Sequence, residues 1–437
     1  MKKTIILIIS IIIIMTINIY SFSEADTDNY EISINDIESE AAILINANTG
    51  QILFEKNIRT KLYPASTTKL LTALIIAENI NLNEEITIDK QSPFTKGSRI
   101  YIREGEIFTV EQLLNALLVE SANDVADALA IYYSGSIEEF AKVMNEKAIE
   151  LGTINSNFVN PNGLNNKEHY TTAYDLSLIS KAAYHNTIIK SIISKTRYSI
   201  PPTNKVDETR YLKSSNKFLY SEDNNYLLDY RNKKIFAKYD IINGMKTGYT
   251  DDAKNCLVSS AIVNDRELIS VVLKSTGRNI YTDSRKLIDY GMYALNKKIY
   301  YQKNEIIKEL ELNNFKKSKI KALAKEDIEI LVKDDYDLSK ISTEININNL
   351  ELPIEREEVI GNFIITYNDR IISSVDLISN IAVNNNVLLN DITETFEKKM
   401  NFGYKTVILI ILKLILAFLI WRVIITFIRY NLEKKNC

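Results

Sequence analysis

The run Leu70-Leu71-Thr72-Ala73-Leu74-Ile75-Ile76-Ala77 has the length and spacing of a helix that the rest of the chain must bury. Directly before it stands Tyr63-Pro64-Ala65-Ser66-Thr67-Thr68-Lys69, and Pro64 suits a helix start because its fixed φ and missing N–H cost nothing there. Ser66 then falls in the first turn, its hydroxyl facing outward from a rigid base. Lys69 lies three residues on, along the same face. A lysine amine kept neutral by burial or by a nearby cation can take the serine proton, and that pairing is an activated nucleophile. A Ser-x-x-Lys pattern is also what a capped, solvated helix looks like, so its meaning depends on the remainder of the chain.

The composition narrows the chemistry. In 437 residues with 46% hydrophobic content there is room for two or three domains with real cores. A net charge of −3 and a pI near 5.8 leave no basic footprint for nucleic acid. Two His and two Cys speak against a zinc site or a disulfide scaffold, so no metal and no cofactor is expected. Hydrolytic chemistry must run on hydroxyls, amines, amides and carboxylates.

Two further blocks give the Ser-x-x-Lys pattern its weight. Ser121-Ala122-Asn123 follows an amphipathic stretch from Val110 to Val119, where Ser and Asn also suit a helix N-cap. Lys246-Thr247-Gly248 follows the apolar Ile241-Ile242, with a strand resuming at Cys256. The ordered trio is the mark of penicillin-interacting serine enzymes. The chain resembles the low-molecular-weight penicillin-binding proteins, serine D-alanyl-D-alanine carboxypeptidases with a C-terminal membrane anchor. The hairpin predicted from Ala41–Asn46 and Gln51–Phe54 around Asn48-Thr49-Gly50 is similar to one in that family, as are Phe158 to Leu164 and His169 to Leu176.

The resemblance implies an α+β fold: a β-lactamase/transpeptidase-like antiparallel sheet flanked by helices, a small C-terminal all-β domain and a C-terminal membrane helix. It implies Ser66 as nucleophile, Lys69 as its base, and Ser121 as the relay of a proton to the leaving amine. Asn123 would hydrogen-bond the substrate's peptide group. Lys246 would set a positive charge beside Ser66 and Lys69 and attract an anionic C-terminus that Thr247 hydrogen-bonds. Gly248 would let the substrate lie flat on the strand, with the N–H groups of Ser66 and Tyr249 as the oxyanion hole. Arg278 is the weakest assignment: the family often has a carboxylate-binding arginine after this strand, but the spacing is longer here and a solvated loop arginine fits equally. Where the family commonly has Ala-Gly this chain reads Ala253-Lys254, past the site, so altered packing is expected. His169 is assigned a structural role, because the Ser–Lys pair already supplies a base, and Thr171-Thr172-Ala173 reads as a helix cap. His185 reads as a solvated residue.

Met1-Lys2-Lys3 and the apolar run from Thr4 to Ile19 have the form of a secretory signal, with cleavage after Ala25 and an uncleaved anchor as the alternative. A serine peptidase domain is expected over 26–296. Short alternating runs between 300 and 385 predict a small antiparallel β-domain, which the resemblance makes a stalk. A polar connector over 386–405 leads to an apolar stretch at 406–428 and a basic tail at 429–437. The family suggests a helix lying along the membrane surface. Lys405, Lys413, Arg422 and Arg429 do not gather on one face, however, which favours a tilted span with the catalytic region on the extracytoplasmic side of the cell membrane. The expected reaction is removal of the terminal D-alanine from peptidoglycan stem peptides ending in D-Ala-D-Ala, with β-lactam antibiotics as inhibitors. A class A-like β-lactamase is the enzymatic rival, although Glu111-Gln112-Leu113-Leu114-Asn115 precedes Ser121 where such an enzyme has its Glu-x-x-Leu-Asn pattern afterwards. A catalytically silent wall-binding protein is the other.

Overall fold

Strand β1 (Ala41–Asn46) is buried along its whole length, and its side chains divide by parity between two cores. Ala41, Ile43 and Ile45 enter one; Ala42 and Leu44 enter the other. Only a central strand covered on both faces does this. It pairs with β2 (Ile52–Lys56) on one side. On the other it meets the long strand Arg266–Ser275, β5, with Ala41 opposite Leu273. With β3 (Ile242–Thr250) and β4 (Lys254–Val263) the antiparallel sheet runs β2-β1-β5-β4-β3, which leaves β3 at an edge. The structure is a computed structural model and describes residues 30–311, 319–348, 350–383 and 409–425. The expected signal segment, the connector and the basic tail lie outside those residues.

Helix α1 (Lys69–Asn79) is buried from Lys69 to Ile76, as its unbroken apolar run requires. Around it pack α2 (Asn123–Ser134), α3 (Ile137–Glu150) and α4 (Ala173–His185), which together cover one face of the sheet. Thr172 caps α4 by accepting the Asp175 N–H, as its sequence suggests. The cap expected of the Ser121 block is absent: Ala122 is the N-cap of α2 and makes no side-chain cap bond, because the chain enters this helix from a π-turn over Ala116–Glu120 that throws Ser121 into the left-handed region (φ 68°). Helix α5 (Asn279–Asp289) covers the other face through Ile280, Tyr281, Leu287 and Ile288.

Two compact units divide the chain. The larger takes in the sheet and helices above, with Glu326–Glu344 and Ile364–Val375 added to the part ending at Tyr301. Within it β6 (Asn296–Tyr301), which no sequence signal had singled out, pairs with Ile328–Val332. Glu329 there accepts from Asn46 Nδ2 at 2.9 Å and pairs with Lys297. In the smaller unit β7 (Ile306–Glu311) pairs with β8 (Lys319–Ala324), and β8 with the end of strand Arg370–Ser379. These belong to a second five-stranded antiparallel arrangement, the C-terminal β domain that alternation predicted.

The membrane helix expected over 406–428 is corrected to this extent: among the described residues no helix is long and apolar enough to cross a membrane. Residues 409–425 are helical and exposed at nearly every position, and the flanks lie outside the described residues.

The departure at Ala253-Lys254 resolves as backbone conformation. Lys254 has a φ of 55°, its side chain is in solvent, and a residue with a Cβ is disfavoured there. Lys254→Gly is expected to raise unfolding stability by ~1 kcal/mol, measured as a later midpoint in chemical denaturation with unchanged slope.

Candidate active site

Lys69 and Lys246 are among the largest fully buried side chains, exposed to 0% and 1%. An ammonium withdrawn from water costs several kcal/mol unless it is paired or loses its proton. Burial, and then the facing Lys246 charge, hold the Lys69 amine well below the ordinary lysine range. Burial pushes Lys246 down to about 7, with Glu120 opposing the shift. Of the two, Lys69 is therefore the neutral amine.

Its geometry suits that state. Lys69 Nζ lies 2.6 Å from Asn123 Oδ1, 2.6 Å from the Asn162 carbonyl oxygen and 2.9 Å from Ser66 Oγ. A neutral amine has two N–H groups and one lone pair. The amide and carbonyl oxygens can only accept, so they take the two N–H groups, and the lone pair is left for the Ser66 hydroxyl proton. Ser66 itself is half-exposed, on the 3-10 turn Ala65–Thr68 that starts α1.

Two glycines let the walls close on this turn. A Cβ on Gly163 would stand 1.9 Å from the Ala65 carbonyl oxygen, and one on Gly248 would stand 2.8 Å from the Ser66 nitrogen. Edge strand β3 thus passes directly against the Ser66 N–H. Ala65 (φ 49°), Ser121 (φ 68°) and Met245 (φ 104°) all hold backbone conformations that residues with side chains seldom adopt. Such strain gathers where surrounding packing over-determines a functional site.

The structure brings Ser66, Lys69, Asn123, Lys246 and Gly248 together. Ser121, two residues before Asn123, is buried, and among the described residues its Oγ has no hydrogen-bond partner. Thr247 is half-buried on β3, its Oγ1 2.6 Å from Ser215 Oγ. Tyr249 is exposed and turns its hydroxyl to Asp251. Arg278 is engaged elsewhere: its guanidinium donates to the carbonyls of Leu227 and Asn225 and lies over the Tyr226 ring.

His169 is buried, and burial pushes it down to about 4. Its Nδ1 accepts the Val159 N–H, so the neutral ring carries its proton on Nε2, which donates to Thr68 Oγ1. Both nitrogens are occupied, which suits the structural role expected of it. His185 is exposed, with Nε2 near the Ala47 carbonyl. The residues that sequence reasoning missed form the support. Asp127 accepts from Asn162 Nδ2 and Thr95 Oγ1, and Asp124 accepts from the N–H groups of Ile100 and Ile102. Asp127 is four residues after Asn123 on α2, a spacing that places both on one face; the Asn162 carbonyl and Ser215 leave no side-chain pattern to read.

A half-exposed serine, a buried neutral amine and a second buried lysine at a sheet edge define a serine enzyme of the acyl-transfer type. A family model described as D-alanyl-D-alanine carboxypeptidase matches residues 27–277, and one described as the C-terminal domain of penicillin-binding protein 5 matches residues 296–385. The chain belongs to the D-alanyl-D-alanine carboxypeptidase family. It is 31% identical over 336 residues to the D-alanyl-D-alanine carboxypeptidase DacF of Bacillus subtilis, covering 75% of this chain and 81% of the relative. The crystal structure of the D-alanyl-D-alanine carboxypeptidase DacD from Francisella tularensis matches with a TM-score of 0.55 at 26% identity, over 83% of this chain and 99% of the other. Penicillin binding protein 5 from Haemophilus influenzae shares the fold, with a TM-score of 0.58 at 24% identity, over 80% and 98%.

Gly163→Ala forces a methyl group against the Ala65 backbone beneath the nucleophile. It is expected to lower the melting temperature and to slow acylation of Ser66 by an active-site-directed probe ~100-fold, the loss that a displacement of about 1 Å produces.

Proposed function

We propose that this chain is a serine D,D-carboxypeptidase that removes the terminal D-alanine from peptidoglycan stem pentapeptides, with the catalytic unit outside the cell and anchored to the membrane. The observation that carries the reading is Lys69 Nζ at 2.9 Å from Ser66 Oγ, buried, with both other contacts on acceptors. The substrate adds to the free edge of β3 as a further antiparallel strand. Its terminal carboxylate meets Lys246 and Thr247, and Asn123 holds the acyl side. Ser66 Oγ attacks the carbonyl of the penultimate D-alanine while its proton passes to the lone pair of Lys69. The oxyanion accepts from the N–H groups of Ser66 and Tyr249. The proton moves on through the Ser121 hydroxyl to the leaving amine, the C–N bond breaks, and free D-alanine departs. Water, deprotonated by Lys69, then attacks the ester and restores the Ser66 hydroxyl. Penicillin enters the same first half: its strained amide opens on Ser66, and the bulky product resists the second.

Among the described residues, neither Glu111 nor the two aspartates of α2 suits the deacylating carboxylate that the β-lactamase alternative needs. Glu111 is a solvent-exposed residue whose carbonyl accepts from Asn115 Nδ2. Asp124 and Asp127 are occupied by the hydrogen bonds given above. Anchoring is supported by the apolar sequence over 406–428, with Lys413 and Arg422 reaching towards opposite interfaces, and the extracytoplasmic location by the signal-like N-terminus.

The full chain in detergent is expected to release D-alanine from an Nα-acyl-D-Ala-D-Ala peptide and to take up labelled penicillin stoichiometrically, and Ser66→Ala to lose both. Absence of release together with absence of labelling in the wild type would sink the proposal. Acylation should follow a bell-shaped pH profile. On the acid side the rate rises as Lys69, whose pKa is lowered, loses its proton. On the alkaline side it falls as Lys246 loses its charge above about 7 in the free enzyme. Lys246→Arg, which keeps its charge, is expected to remove the alkaline limb alone.

A further inference from the structure

The two oxygens that receive the N–H groups of Lys69 belong to separate segments of the chain, and each is braced from behind. The brace is the same residue in both cases. Asp127 stands one turn beyond Asn123 on α2, buried, and its carboxylate divides between two loops. Its Oδ1 accepts from Asn162 Nδ2 at 2.7 Å, and its Oδ2 accepts from Thr95 Oγ1 at 2.6 Å.

The first link is direct. Asn162 donates its side-chain amide to Asp127 and presents its backbone carbonyl to Lys69 Nζ at 2.6 Å, so holding the one fixes the position of the other. Its Oδ1 accepts the Leu164 N–H at 2.9 Å, which pins the side chain at its remaining end. The second link runs through one more residue. The carbonyl of Lys96, next to Thr95, accepts from Asn123 Nδ2 at 2.7 Å, and this decides which end of the Asn123 carboxamide is turned to the amine. Gly97 lets the loop come so near: a Cβ there would stand 2.5 Å from Asn123 Nδ2. The neighbouring carboxylate, Asp124, accepts instead from the backbone N–H groups of Ile100, Ile102 and Val125.

Resting on the Ser66–Lys69 reading above, we infer that Asp127 is a positioning residue for acylation. Acting through Asn162 on one side and through Thr95 and Lys96 on the other, it fixes both acceptors of the Lys69 N–H groups and so aims the lone pair at the Ser66 hydroxyl. The same carboxylate has a second effect, of opposite sign. The titratable groups facing Lys69 are Lys246 on β3, Asp124 and Asp127 on α2, and His169 ahead of α4. The Lys246 charge disfavours the ammonium, and the two aspartates favour it. Removing the Asp127 charge while keeping its bonds therefore lets Lys69 stay neutral at lower pH. Asparagine does this: its carboxamide oxygen can accept from Asn162 Nδ2, and its NH2 can donate to Thr95 Oγ1.

The test follows the rate of Ser66 acylation by labelled penicillin against pH, with the full chain in detergent. Asp127→Ala is expected to slow acylation ~10- to 100-fold, as a small misplacement of a reacting group does. Asp127→Asn is expected to restore the plateau to within a few-fold of wild type and to move the acid limb to lower pH, a displacement that a merely structural role would not produce. Asn162→Ala, which leaves the accepting carbonyl in the backbone, is expected to slow acylation in the same sense and less than additively with Asp127→Ala. If Asp127→Ala does not fold, Asn162→Ala and Asp127→Asn decide. A wild-type rate in Asp127→Ala or Asn162→Ala, or an asparagine variant as slow as the alanine one with its acid limb unmoved, overturns the positioning role while leaving the Ser66–Lys69 reading intact. Wild type that takes up no penicillin overturns that reading, and the role with it.

Discussion

The amine of Lys69, fully buried from solvent, is the constraint on which the rest of this structure depends. Exposed, it would be an ammonium with no lone pair, and Ser66 would be an ordinary alcohol. Enclosed, with Lys246 facing it, it is held neutral, and two fixed acceptors decide where its lone pair points. The largely apolar and buried α1 is the local expression of this requirement. A helix that begins with a buried lysine must be surrounded on every side, and the sheet on one flank and α2, α3 and α4 on the others do so.

Keeping two lysines in one cleft sets the charge logic of the neighbourhood. The Lys246 charge lowers the tendency of Lys69 to hold a proton, whereas Lys246 is itself lowered by burial, and their surroundings differ further. Asn123 and Asn162 offer Lys69 neutral oxygens, whereas Glu120 favours the charge on Lys246. Burial raises the pKa of Asp124 and Asp127, yet both are saturated by backbone and side-chain donors that fix the loops over the cleft. Their task is to hold positions, and Asn162 is the link by which Asp127 reaches the amine through one residue's amide and carbonyl.

Much of the fold could be read in advance because period and parity report burial directly. The hairpin around Asn48-Thr49-Gly50, the buried run after Lys69 and the alternating strands near the C-terminus all follow from which faces must leave water. Strands β6 and β7 escaped notice, since they are short, each has charged residues among its apolar ones and both are only partly buried, so hydropathy hardly marks them. The N-cap expected near Ser121 failed for a different reason. A π-turn adds a residue to the helical register, and no residue type there announces it.

For the site, the amino-acid order alone determined which groups carry reactive chemistry: a hydroxyl and an amine one turn apart, and two polar blocks at a distance in the chain. Their protonation and aim were decided by the tertiary structure. Neutrality of Lys69 is a property of the volume around it, the direction of its lone pair is set partly by a backbone carbonyl at Asn162, and the approach of β3 to Ser66 depends on the absence of a Cβ at Gly248. Electrostatics and steric exclusion act through space between segments far apart in the chain, so no local pattern of residue types can state them.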